Sequence, residues 1–309
     1  MKTNKFFSSR KLMNKWSLAQ QFKIKIMATR RDFLKNITLI SGVLAAGSVQ
    51  AKSEAAKGKM MKSGIQLYSL RDVINSDLQG TLAAASKIGY KSVEPYGFDG
   101  NFFGHSAKDF RKMCNDLDMV ITGTHTGITL ANAAEYAEKA VEAGLEYLIL
   151  PSFSGRPDKT IDDYKIVAQE MNKIGEITSK SGIKFGYHNH NHEFRIIDGK
   201  LPYDVLLADT DPALVTFEMD IFWIVKGGQD PLQYFNKHPG RFQLWHVKDM
   251  GNDGESCIVG NGHIKFKDLL KQSKKAGLKQ IVYEQEAYSE GSPIHCAEQS
   301  YKYIQKHLL

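Results

Sequence analysis

Apolar and polar positions along the chain alternate between two patterns. Short runs rich in β-branched and aromatic residues read as strands: GIQLYS (64–69), KSVEPY (91–96), VITGTH (120–125), YLILPS (147–152), KFGYHN (184–189), LVTFEMD (214–220), FQLWHVKD (242–249) and IVYEQE (281–286). Longer stretches with helical spacing lie between them, among them 81–89, 107–118, 132–144 and 162–182. Several end in a glycine just before the next strand, as in KIGYKSVE, EAGLEYLIL, KSGIKFGY and KAGLKQIVY. Glycine there supplies the left-handed residue that closes a helix and turns the chain back. Strand and helix in alternation, through eight strands, predict an α/β fold of the (β/α)8 TIM barrel type. A doubly wound open sheet needs no eighth strand, and the chain has no glycine-rich dinucleotide turn.

The predicted barrel domain occupies residues 63–309. Residues 52–62 (KSEAAKGKMMK) are charged, small and aperiodic, and read as a linker. Residues 1–51 stand apart in charge. They hold ten Lys or Arg against Asp32 alone, so the net charge of +7 belongs to this segment and the rest of the chain is slightly acidic. Within it, TRRDFLK (29–35) precedes the apolar ITLISGVLAAGSV and the small-residue VQA (49–51), the order of an export signal with cleavage after Ala51. Arg30 and Arg31 make it look like a twin-arginine signal. The apolar run is too short and too glycine-rich for a stable membrane span. The mature chain is therefore expected in the periplasm, without stable membrane insertion. Met27 directly precedes the segment, so initiation at Met1 or Met27 presents it equally. A near-neutral mature chain argues against a nucleic-acid partner. Cys114, Cys257 and Cys296 show no CxxC spacing, which argues against a disulfide framework or a thiolate metal site.

Ionisable residues gather at the C-terminal ends of the predicted strands, where barrel enzymes build their active sites. They are Glu94, His125, His188 with His190, Asp220, His246 with Lys248, and Glu284 with Glu286. Strand alternation supports an inward aim. Placing His188 inward puts Phe185 and Tyr187 outward; placing Asp220 inward puts Val215, Phe217 and Met219 outward; placing Glu284 inward puts Ile281 and Tyr283 outward. Two imidazoles and two carboxylates converging on the axis predict a divalent metal site with donors suited to zinc, manganese or cobalt.

GIQLYSLRD, YHNHNHEF, DIFW, WHVKDM with the later GNGHIKFKDLL, and VYEQE occur in this order, each at the expected strand. Together they resemble the xylose isomerase-like barrel superfamily of sugar phosphate isomerases and epimerases, which also takes in endonuclease IV. The resemblance covers about residues 63–307. It implies Asp220, His246 and Glu284 as metal ligands. Its fourth ligand is often a glutamate at the end of strand five, followed three residues later by Asn; here that position is His188, with Asn191 three residues on. The imidazole removes one of the two opposed carboxylates that the resemblance implies for epimerases, leaving Glu284 as the ligand able to act as general base. Lys248 is then expected to donate a hydrogen bond or proton to a substrate oxygen. Glu94, His125 and His190 are expected to touch substrate, Trp223 and Phe102 to offer apolar faces to a sugar ring, and His192 to stand aside.

The implied activity is that of a metal-dependent sugar isomerase or epimerase, working through an enediolate on an unphosphorylated or keto sugar. The alternatives are a lyase or hydrolase of oxidised sugars or glycosides, an endonuclease IV-like nuclease and a non-enzymatic carbohydrate-binding barrel. The expected partner is a small carbohydrate, and a homo-oligomer is compatible with the sequence.

Overall fold

The computed structural model describes residues 63–153 and 159–309; the expected export signal and linker lie outside the described residues. The barrel strands are β1 (Ser63–Gln66), β2 (Ser92–Glu94), β3 in two pieces (Val120–Ile121 and Gly123–His125), β4 (Tyr147–Leu150), β5 (Lys184–His188), β6 (Val215–Asp220), β7 (Leu244–Val247) and β8 (Gln280–Tyr283). They run parallel in chain order, and β8 pairs with β1. The first piece of β3 pairs with β2 and the second with β4. Thr122 carries the ring across the break: its amide donates to the Val93 carbonyl at 3.4 Å, and its carbonyl accepts from Glu146 and Tyr147 at 2.9 and 3.1 Å. The result is the nearly closed barrel that the alternation predicts.

Among the described residues a helix follows each strand: α1 (Leu78–Ile88), α2 (Ala107–Asp116), α3 (Ala133–Ala143), α4 (Ile161–Ser179), α5 (Pro202–Asp209), α6 (Pro231–Lys237), α7 (Phe266–Leu270) and α8 (Pro293–His307), with short helices such as Ile221–Lys226 between some of them. Side chains start several of them. Ser106, Asp230 and Ser292 accept backbone amides at the helix N-termini, and Thr160 with Asp163 forms a capping box. The predicted helix-ending glycines Gly89, Gly144, Gly182 and Gly277 all have positive φ.

Strand alternation divides the side chains as expected. Phe185, Tyr187, Val215, Phe217, Met219, Ile281 and Tyr283 are buried in the layer between sheet and helices. Each such side chain contributes roughly 1.5–3 kcal/mol by leaving water. Inside the ring, Tyr147, Ile149 and Leu244 form a separate small apolar cluster. Glycines make room above it: a Cβ on Gly123 would lie 3.1 Å from Ile149 and 3.3 Å from a Glu94 oxygen. The interior thus changes from an apolar plug to a tier of ionisable groups toward the C-terminal strand ends.

Two expectations are corrected. The strands at 64–69 and 281–286 stop early, at Gln66 and Tyr283. Past Tyr283 the Glu284 amide still reaches the Val247 carbonyl at 3.4 Å, and side chains then take over: the Gln285 amide donates to Ser69 Oγ and the Glu286 amide to Ser256 Oγ. Phe102 offers no face to a ligand. It sits in a hairpin, Asn101–Phe102 against His105–Ser106, and is 1% exposed between Phe98 and Phe110.

Candidate metal centre at the barrel mouth

Alternation along β6 aims Glu218 and Asp220 into the ring, and β5 and β7 bring His188 and His246 beside them. Glu94, His125 and Glu284 come from the ends of β2, β3 and β8. All seven are buried. They form two levels that share the two imidazoles.

The deeper level is a carboxylate–imidazole lattice. Glu94 Oε1 accepts from Gln66 Nε2 at 2.8 Å and lies 2.9 Å from His246 Nε2 and 3.2 Å from His125 Nε2. Glu218 Oε2 lies 2.8 Å from His125 Nε2, 3.1 Å from His188 Nδ1 and 3.2 Å from His246 Nε2, while its Oε1 is buried with no hydrogen bond. Burial and the charge of Glu94 push the Glu218 carboxyl up to about 7. Burial opposes the imidazolium of His125, but Glu94 and Glu218 outweigh it and raise His125 to about 9.

The upper level is centred on Lys248. Its Nζ lies 3.0 Å from Asp220 Oδ2, 2.8 Å from Glu284 Oε2 and 2.6 Å from Glu286 Oε1. Burial works against this ammonium, yet the three carboxylates hold it well above the usual lysine range. Glu284 Oε2 also lies 3.0 Å from His246 Nδ1. Burial would raise the Glu284 carboxyl, but Lys248 and His246 hold it well below the usual carboxylate range. Asp220, chiefly through burial, is pushed up to about 6. Its other oxygen caps the helix Ile221–Lys226 by accepting the Trp223 amide at 2.9 Å. Burial and the neighbouring imidazolium charges of His246 and His125 keep His188 well below its usual value, hence neutral.

The donor atoms of His188, Asp220, His246 and Glu284 lie within 4.8 Å of one another, the four ligands expected from the sequence. Asp220 Oδ2 is buried and makes no well-aligned hydrogen bond, although the Lys248 ammonium is 3.0 Å away. Two nitrogens and two carboxylate oxygens, already ionised or readily so, fit a divalent cation such as zinc, manganese or cobalt. His125, His188, Glu218 and His246 satisfy the same distance criterion one level down.

A cavity of about 350 Å³ opens over this centre, a size that suits a small ligand. His125, His188, His190 and Glu284 face it, with Glu286, Tyr68 and Tyr96 around its sides, and the described lining residues include no Lys or Arg. His190 meets the substrate-facing expectation; its Nδ1 is buried without a partner, and burial lowers it to about 4. Three other expected site residues stand behind the lining. Glu94 is locked into the deeper lattice, Lys248 is fully buried among its carboxylates, and Trp223 packs its ring 5.6 Å from that of His190 and 5.0 Å from Lys248 Nζ. His192 points away to Glu193, 3.1 Å off. Glu193 is itself buried; it accepts the Tyr187 hydroxyl and the His190 amide and so shapes the HNHEF loop.

Glu218, Gln66 and Glu193 are absent from the set expected from sequence. Glu218 was within reach of the reasoning, since the alternation that sends Phe217 and Met219 outward sends Glu218 inward with Asp220. The pairing of WHVKDM with GNGHI also has a physical basis. The Asp249 carboxylate accepts the amides of Met250, Gly260, Gly262 and Ile264 at 2.8–3.2 Å, gathering residues 250–264 beside the mouth. A Cβ on Gly262 would lie 2.3 Å from that carboxylate.

Comparison with known proteins agrees with this architecture. A solved sugar phosphate isomerase/epimerase from Parabacteroides distasonis is 30% identical, with a TM-score of 0.70, over 84% of this chain and 98% of that one. Inosose dehydratase from Clostridium tetani is 27% identical over 50% of this chain, and the chain spans 58% of that relative's length. Inosose dehydratase from Bacillus licheniformis is 25% identical over 66% of this chain and 70% of the relative. Residues 82–307 match the family described as xylose isomerase-like TIM barrel, and the chain belongs to that family.

Proposed function

We propose that this protein is a divalent-cation-dependent enzyme that removes the proton beside a carbonyl group of an unphosphorylated sugar or keto sugar. The observation that carries this reading is the meeting of His188, Asp220, His246 and Glu284 under a cavity walled by carboxylates and imidazoles. A divalent cation held by these four residues would supply positive charge to a substrate carbonyl and lower the cost of the enediolate left by proton loss. Glu284 is the ligand carboxylate that faces the cavity, and Lys248 with His246 keeps it ionised. It takes the proton. His190, neutral and lining the cavity, donates or accepts the second hydrogen bond to substrate. Glu286 beside Glu284 disfavours a phosphate group at this mouth, which supports a neutral substrate.

Returning the proton to the neighbouring carbon gives an isomerase, and the similar Parabacteroides structure favours that outcome. Expulsion of a β-hydroxyl as water gives a lyase, and the inosose dehydratase relatives favour that one. Delivery to the periplasm by the twin-arginine route belongs to the same proposal and is supported by Arg30, Arg31 and the apolar run behind them. Metal analysis of the purified protein, followed by incubation with a panel of neutral and keto sugars in deuterated water, tests the reading. Solvent deuterium at a carbon of a rearranged sugar marks isomerisation, and an unsaturated dehydrated product marks elimination. Absence of a bound divalent cation in wild type, and of exchange with every sugar, refutes it.

A further inference from the structure

We infer that Glu218 is a positioning residue for the cation site: it determines which nitrogen of His188 and of His246 is presented to Asp220 and Glu284. The inference rests on the cation-binding reading above. Both imidazoles span the two levels of the centre. His188 turns Nδ1 to Glu218 Oε2 at 3.1 Å and Nε2 toward Asp220 Oδ2 at 3.8 Å. His246 turns Nε2 to Glu218 Oε2 at 3.2 Å and Nδ1 toward Glu284 Oε2 at 3.0 Å.

With the cation bound each of the two imidazoles is neutral and carries one N–H, and Glu218, ionised in that state, can only accept. With Glu218 below, the N–H of each ring is drawn downward, and the opposite nitrogen offers its lone pair to the upper level. Glu94, 2.9 Å from His246 Nε2, acts in the same sense on that ring alone. Glu218 is the carboxylate that reaches both, and it does so through Oε2 only. It is fully buried and lies outside the cavity lining, so it acts on substrate through these rings. Hydrogen-bonded partners behind metal-bound histidines are typically worth about 10–100-fold in metal affinity.

The test is titration of metal-stripped, full-length protein with Co2+, following the visible absorption of the bound ion, for wild type, Glu218→Gln, Glu218→Asp and Asp220→Asn. A glutamine amide can donate as well as accept, so it no longer imposes one tautomer. Glu218→Gln is expected to weaken Co2+ binding about 10–100-fold and to shift the visible band, with the metal-free fold retained by circular dichroism. Should that variant fail to fold, Glu218→Asp, which keeps the charge but withdraws it by one methylene, carries the same expectation. Unchanged affinity and an unchanged band overturn the inference while leaving the cation site in place. Abolition of binding by Glu218→Gln, with Asp220→Asn still binding as wild type does, puts the ion in the deeper set and also overturns it. Wild type that binds no Co2+ overturns the functional reading on which the inference rests.

Discussion

Replacing Lys248 with methionine separates a structural cation from a site that accepts one. Lys248 is fully buried, and its ammonium lies within 3.0 Å of Asp220, Glu284 and Glu286. Methionine keeps most of the volume but removes the charge, leaving buried carboxylates uncompensated. Breaking a buried ion pair in this way costs about 3–5 kcal/mol. The Glu286 side chain is 33% exposed and solvated, so it adds little. For a domain of this size 1 kcal/mol moves the melting temperature by about 2–4 °C, so the metal-free variant is expected to melt roughly 6–20 °C below wild type. A divalent cation replaces the missing charge. At about 100 times its Kd a ligand adds about 2.7 kcal/mol to either protein, and more to the variant, where no ammonium competes for Asp220 and Glu284. Thermal unfolding followed by circular dichroism, in EDTA and again in excess Mn2+, should show the gap between the two proteins narrowing with the metal. A gap of equal size in both conditions, or no gap in EDTA, refutes the reasoning.

Asp249→Ala leaves the amides of Met250, Gly260, Gly262 and Ile264 without their acceptor. The expected loss is about 3 kcal/mol in urea unfolding, with new proteolytic nicking inside 250–264. Changing Arg30 and Arg31 together to Lys should leave the precursor in the cytoplasm, which cell fractionation reads directly. His188 and His190 are held below their ordinary 6.5 and so add stability as pH rises to that value. The metal-free protein should therefore show a net loss of stability from about pH 6.5 to about 9. Asp220 is raised from 3.8 to about 6, Glu218 from 4.5 to about 7 and His125 from 6.5 to about 9, so each contributes stability present below its unfolded value and lost as pH climbs through its folded one. Glu94 and Glu284 have the opposite sign: their contribution is present above 4.5 and is lost as the solution is acidified below that value. Chemical unfolding in EDTA at several pH values checks this, and stability that rises between pH 6.5 and 9 contradicts it.

Strand and helix order was legible because apolar runs alternate with helical stretches, several of them closed by a helix-ending glycine, and period-two alternation fixes which side chains face inward. The cluster that could hold a cation followed from the same alternation, since His188, Asp220, His246 and Glu284 each sit at an inward strand end. Depth within the ring was less legible. Sequence places Glu94 and Lys248 at the mouth, but a long side chain can point down the axis or up toward solvent, and only contacts across the ring decide. Glu94 turns down to Gln66 and His246, and Lys248 is drawn in by three carboxylates from two other strands. Phe102 was misjudged for a related reason, and Trp223 stands behind the cavity lining beside His190. An aromatic residue near the mouth suggests a sugar platform, whereas local packing against His190 or Phe110 sets its place.

The interior of this barrel departs from the layers of branched aliphatic side chains that usually fill such folds. Above Tyr147, Ile149 and Leu244 the packing gives way to Glu94, Glu218, Asp220 and Glu284, with Lys248, His125 and His246 as their counter-charges. Four carboxylates thus face three counter-charges, and Glu286 at the rim adds a fifth carboxylate. Burial, helped by the charge of Glu94 at Glu218 and of Glu284 at Asp220, raises both carboxyls, and a proton on either relieves the excess. A fold stabilised only for its own sake would replace such a lattice with well-packed apolar residues at little or no cost. Retaining it makes physical sense where a dication takes over the role of those protons. With a cation held as proposed, the carboxylates would be ionised together, His188 and His246 would be neutral with their lone pairs turned upward, and Glu284 at the cavity would be free to meet a carbon-bound proton.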